Sequence, residues 1–101
     1  MRLVDLEATF VAATDTGWRD VDTFTEAHGV IFDCPKCLGH KIMAWWPNAP
    51  SQLAGDPSGG KRWQASGTSL EDLTLSPSIL LTSPEGCGWH GFVRDGAIIN
   101  C

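Results

Sequence analysis

A small, mainly antiparallel β domain is the fold class that the sequence predicts, and three observations predict it. Eleven glycines and six prolines in 101 residues make turns frequent and elements short. The apolar runs are brief and bounded by turn residues, as strands are. Two pairs, Cys34-Pro35-Lys36-Cys37 and Cys87-Gly88-Trp89-His90, carry the spacing with which tight turns at strand ends aim two side chains at one metal ion. The expected architecture is one zinc-stabilised domain over residues 1–101: a small antiparallel sheet clamped by two zinc knuckles, in the manner of an enlarged zinc ribbon.

Along the chain, residues 1–28 form an N-terminal extension or strand. Residues 2–12 alternate imperfectly and suggest a first strand, although Leu3, Leu6 and Phe10 also fit a helical spacing. Residues 14–29 are polar and irregular, with turn signals at Thr16-Gly17 and His28-Gly29. Gly29 to Asp33 reads as a buried strand running into Cys34, and Lys41 to Trp46 as its hairpin partner, stopped by Pro47. Residues 47–60 gather Pro, Asn, Ser, Gly and Asp into a surface loop. Arg62 to Ser66 is a short strand. Ser69-Leu70-Glu71-Asp72 places an acid three residues after a hydroxyl, a pattern that caps a single helical turn. Leu73 to Leu81 resumes an apolar pattern around Pro77, which marks an edge or bulged strand. Asp95-Gly96 between two apolar runs signals a hairpin, because both turn positions need positive φ.

Composition narrows the function classes. The net charge is −5, and the seven Lys and Arg form no run. Binding to phosphate backbones depends on a basic face, so direct nucleic-acid binding is disfavoured. No segment is long enough to span a membrane, and the acidic start Met1-Arg2-Leu3-Val4-Asp5-Leu6-Glu7 lacks the apolar stretch of a signal peptide. A cytosolic setting keeps thiols reduced, which favours cysteines as ligands over disulfides.

Cys34, Cys37, Cys87 and His90 together make a closed Cys₃His set, and thiolates with one imidazole suit Zn²⁺. Residues 38–86 separate the pairs, whereas ordinary ribbons have roughly 15–20 residues there. Loop-closure entropy grows only logarithmically, so a threefold longer loop costs about 1 kcal/mol more. Structural zinc contributes roughly 10–16 kcal/mol in finger peptides and outweighs that cost. His40 is the alternative to His90 as the imidazole ligand. Cys101 reads as a free thiol and His28 as a polar turn residue. Four protein ligands leave no position for water, and no His-x-Glu accompanies the cysteines, so catalytic zinc is disfavoured. Glu85 and Asp33 are the nearest acids to the two pairs.

Ser76-Pro77-Ser78 raises the thought of a nucleophile. No glycine elbow surrounds it, and the nearest histidine is already assigned to the metal, so it reads as a turn or bulge. Five tryptophans without a tyrosine are a skewed set. Trp45 and Trp46 are adjacent, so on a strand one faces inward and one outward, and an exposed tryptophan is a candidate partner contact. Trp89, inside the second pair, would shield the metal from water.

Cys34-Pro35-x-Cys37, Leu75-Ser76-Pro77-Ser78-Ile79 and Cys87-Gly88-Trp89-His90-Gly91-Phe92, in that order over roughly residues 25–99, resemble a family of small phage and prophage proteins, domain-of-unknown-function family 6527. The first knuckle here is plainer than in members with more cysteine and glycine. The resemblance implies metal binding and a phage origin, with no established activity. Some such proteins carry the label ammonia monooxygenase, which this chain does not support, having neither membrane spans nor copper-type histidine clusters. The expectation is therefore a non-enzymatic protein-interaction module with a structural zinc, a virion component or accessory factor acting on a virion or host protein in the host cytoplasm or virion. The alternatives are an inhibitor of host defence that mimics nucleic acid through its acidic charge, and a zinc-dependent hydrolase.

Overall fold

A computed structural model describes residues 1–37, 39–50, 60–80 and 88–101. It is mainly β, as expected, and its strands form three antiparallel sheets. The largest has the order β2-β1-β3-β4, from Thr9–Thr14 (β1), Gly17–Val21 (β2), Gly29–Asp33 (β3) and Lys41–Trp45 (β4). Gln64–Ser66 (β5) pairs with Thr74–Ser76 (β6). The third sheet has the order β7-β8-β9, from Ile79–Leu80, His90–Arg94 and Ala97–Asn100.

Strands β1, β3 and β4 of the large sheet are apolar on both faces, which explains why they read as largely continuous apolar runs. Val30, Phe32, Ile42, Ala44 and Trp46 point into the main core. Their neighbours Met43 and Trp45 join Val11 and Ala49 in a second cluster, with Ile31 packed against it. Trp45 and Trp46 do face opposite ways, but both are buried, so neither offers the exposed contact expected of one of them. Among the described residues Trp18, on β2, is the exposed tryptophan. Gly29 makes the β3–β4 approach possible: a Cβ there would lie 2.7 Å from the Ala44 carbonyl oxygen and 2.8 Å from the Trp45 ring.

Three expectations change. Residues 2–12 are not one strand: Leu3–Leu6 form a 3-10 turn that buries Leu3 and Leu6, and β1 begins at Thr9. The helical spacing of the leucines and the strand pattern after them are each right over their own half. Residues 14–29 contain an ordered strand, β2, paired along its length with β1, and a 3-10 turn at Phe24–Glu26 capped by the Thr23 hydroxyl. His28 is more than a turn residue, because its Nδ1 accepts the Ala13 N–H at 2.9 Å and so pins β1. The Leu73–Leu81 segment is split at Ser76-Pro77 into β6 and β7, which belong to different sheets. Most of the loop expected at 47–60, namely residues 51–59, lies outside the described residues.

Two hairpins match the expected reading. β3 and β4 pair from Gly29↔Trp45 to Asp33↔Lys41. β8 and β9 turn at Asp95-Gly96, with φ of 49° and 72°. The turn before β6 is capped as expected, with the Ser69 hydroxyl accepting the Glu71 N–H at 3.2 Å. The Asp72 carboxylate accepts from the Thr68 and Ser69 N–H groups and the Thr68 hydroxyl. Those bonds, the Thr68 N–H first, hold its acid below the usual carboxylate range.

Candidate active site and metal cluster

The β3–β4 hairpin carries the first cluster. Its last register pair, Asp33↔Lys41, is joined by an ion pair of 2.7 Å, with Glu7 3.8 Å from the same ammonium. The hydrogen bond to Asp33 is the main cause that raises the Lys41 pKa above its ordinary value. Just beyond that pair the Cys34 N–H donates to the His40 carbonyl at 2.9 Å and closes the knuckle. The closure brings one donor atom each from Cys34, Cys37 and His40 within 4.8 Å of one another. Cys34 is fully buried and Cys37 exposed. Cys37 Sγ is 3.1 Å from His40 Nδ1 and accepts the Gly39 N–H at 3.5 Å.

These donors suit a metal. Zinc–sulfur and zinc–nitrogen bonds at a tetrahedral angle put the two ligand atoms about 3.5 Å apart, close to the 3.1 Å seen here. His40 Nε2 is buried with no hydrogen-bond partner among the described residues, so the ring is held by its Nδ1 side. The cluster extends the recognised pair along the chain: Cys34-x-x-Cys37-x-x-His40 repeats the same spacing, a signal available in the sequence. His90 is not part of it. Cys87 lies outside the described residues.

His90 is held elsewhere, by the small sheet. Leu80 stands directly opposite it in the β7–β8 register. Side chains alternate along a strand, so Ser78, two residues before Leu80, shares that face and is a diagonal neighbour of His90. Diagonal positions are about 7–8 Å apart at Cα, a gap an imidazole can cross. Its Nε2 reaches the Ser78 Oγ at 3.0 Å. The face is the solvent side, because the intervening Ile79 and Gly91 point into the core and His90 is exposed.

Both residues are braced from behind. The buried Trp63 indole N–H donates to the Ser78 carbonyl at 3.4 Å. The Trp89 indole packs where a Cβ on Gly91 would be, 2.5 Å from it, and donates to Asn100 Oδ1 at 2.8 Å. Trp89 thus ties the start of β8 to β9. The Cys101 N–H donates to the His90 carbonyl at 3.0 Å. A hydroxyl, a neighbouring imidazole and rigid strands beneath them are the parts of a nucleophilic hydrolase.

The family model described as bacterial ubiquitination-like system serine protease (BubE) matches residues 10–101. The chain belongs to the BubE family. No curated protein and no solved structure matches it. Membership replaces the resemblance to the phage and prophage family 6527, and with it the expected phage origin and virion role. It equally overturns the non-enzymatic interaction module and the nucleic-acid mimic, because the family is described by a protease activity. The hydrolase alternative was nearer. In the sequence Ser76-Pro77-Ser78 is set aside as a nucleophile for want of a glycine elbow and because the nearest histidine is given to the metal; the structure puts His90 Nε2 3.0 Å from Ser78 Oγ.

Proposed function

We propose that the chain is a serine-type peptidase in which Ser78 Oγ is the nucleophile and His90 its general base. The observation that carries this is the 3.0 Å contact between Ser78 Oγ and His90 Nε2 on the exposed face of β7–β8, in a member of a family described as serine proteases. His90 Nε2 takes the hydroxyl proton as Oγ attacks the amide carbonyl, then returns it to the departing amine. A water molecule, deprotonated by the same nitrogen, releases the acyl group and restores the serine. Trp63, through the Ser78 carbonyl, keeps the nucleophile in register with the imidazole. The substrate class is a polypeptide amide within a bacterial ubiquitination-like system, following the family description.

The cluster at the β3–β4 tip has a structural role in this reading. Zn²⁺ is held by Cys34, Cys37 and His40, with Cys87 as the fourth ligand on the strength of its sequence context, and His40 takes the place first given to His90. The ion supplies cross-linking of the knuckle and no reacting oxygen; the nucleophile is the serine.

A fluorophosphonate probe tests the assignment. The chain is labelled and digested, and the modified residue is located by mass spectrometry. Ser78 is the expected adduct, lost on mild heat denaturation before labelling. Modification of a different serine, or hydrolysis that persists in Ser78→Ala, excludes the assignment.

A further inference from the structure

The sheet that carries Ser78 and His90 has an outer face of uneven chemistry. Extending the register across β7, β8 and β9 sets Leu80 and His90 in one row and Phe92 and Ile99 in the next. Leu80 is 47% exposed and Ile99 40%, two of the five large apolar side chains exposed among the described residues. Phe92, in the second row, has the Arg94 guanidinium 4.1 Å from its ring centroid. The inner faces of the same strands give no reason for this, since Ile79 and Val93 already fill the core. A leucine directly opposite a solvent-facing histidine leaves apolar area in water, at about 25 cal/mol per Å². That area is recovered when an apolar group covers it.

We propose that Leu80, backed by Phe92 and Ile99, is the specificity-determining residue of this enzyme and receives an apolar side chain of a polypeptide substrate beside the scissile bond. The inference rests on the Ser78–His90 assignment. Its occupant follows from continuity with that pair: any amide carbonyl in reach of Ser78 Oγ carries its flanking side chains over the strand face where Leu80 projects. A lysine side chain there would be desolvated against leucine and phenylalanine beside the like charge of Arg94, which is unfavourable. Leu80 touches substrate and takes no part in proton transfer.

The test is a charge exchange read on a peptide library. The wild-type chain is expected to cleave peptides with Leu, Ile, Val or Phe flanking the scissile bond about ten- to a hundredfold better, in kcat/KM, than matched peptides with Asp or Lys there. Leu80→Asp should shift the preference towards Lys, and Leu80→Lys towards Asp. Opposite gains from the two variants cannot come from misfolding, which only lowers rates. Unaltered ratios in both variants, with Ser78 still labelled in the wild type, overturn the role of Leu80 and leave the dyad standing. Failure of Ser78 to label overturns the dyad, and this inference with it.

Discussion

Two places in the molecule hold a nucleophilic side chain against a histidine at nearly the same distance. Cys37 Sγ is 3.1 Å from His40 Nδ1 at the β3–β4 tip, and Ser78 Oγ is 3.0 Å from His90 Nε2 on β7–β8. The pairs differ in what surrounds them. The first is local, three residues apart, and has a third donor in the buried Cys34. The second is built across two strands, twelve residues apart, and faces solvent. A third soft donor turns a thiol–imidazole pair towards a metal. An open face and a lone hydroxyl turn the other towards acyl transfer. The distance alone distinguishes nothing; the neighbours assign the chemistry.

The comparison is most sharply broken by exchanging the histidines' fates. His90→Gln should lower kcat by about a thousandfold or more while leaving bound zinc at wild-type stoichiometry. His40→Gln should lose the zinc and lower Tm by about 10 °C or more, as removal of a structural metal does. Turnover assays and metal analysis of both variants read the two effects separately. Zinc lost from His90→Gln and kept in His40→Gln would return His90 to the metal. A smaller effect is expected at the brace behind the serine. Trp63→Phe keeps the ring in the core but removes the N–H that reaches the Ser78 carbonyl, a hydrogen bond worth about 0.5–1.5 kcal/mol. Steady-state kinetics should show kcat down about two- to tenfold with KM unchanged; a change confined to KM would contradict a positioning role.

The smallest effect belongs to the turn that leads into β6. The Asp72 pKa is held below its ordinary value by the Thr68 and Ser69 bonds. A depressed folded value means that its contribution is complete above the unfolded value of about 3.9 and is lost as pH falls through the folded value. Asp72→Asn should therefore melt slightly below wild type at neutral pH, with the gap closing only in strong acid. A gap that persists below pH 2 would assign the effect to something other than the charge.

Several parts of this arrangement were legible in the sequence. Asp95-Gly96 specified its hairpin through the two positive φ values it accepts, and Cys34-x-x-Cys37 announced a strand-end knuckle. Lys41 to Trp46 was read as the partner of Gly29 to Asp33, because both runs are apolar and flank that knuckle. The dyad was not legible, for a physical reason. Ser78 and His90 meet only through the β7–β8 register, and β7 is two residues long, with a proline two positions before it. No periodicity can be read in so short a strand. The competing Cys87-x-x-His90 spacing also claimed the histidine, whereas Cys37-x-x-His40 had an equal claim on the metal and continued the pair already found.

Three contacts of the amino-terminal turn bear on how the molecule assembles. The Leu3 N–H donates to the Gly96 carbonyl, the Ile98 N–H donates to the Met1 carbonyl, and the Arg2 guanidinium reaches the Glu71 carbonyl at 2.6 Å. The first residues are thus stitched to the hairpin that carries His90. On a ribosome the amino-terminal turn is made long before residues 96–98 exist, so it must wait unpaired for nearly the whole sequence to follow. Contacts this distant in sequence slow folding, because the chain entropy is lost before the contact repays it. The strand bearing His90 is accordingly a late arrival, so the proposed Ser78–His90 dyad stays incomplete while the chain is still emerging.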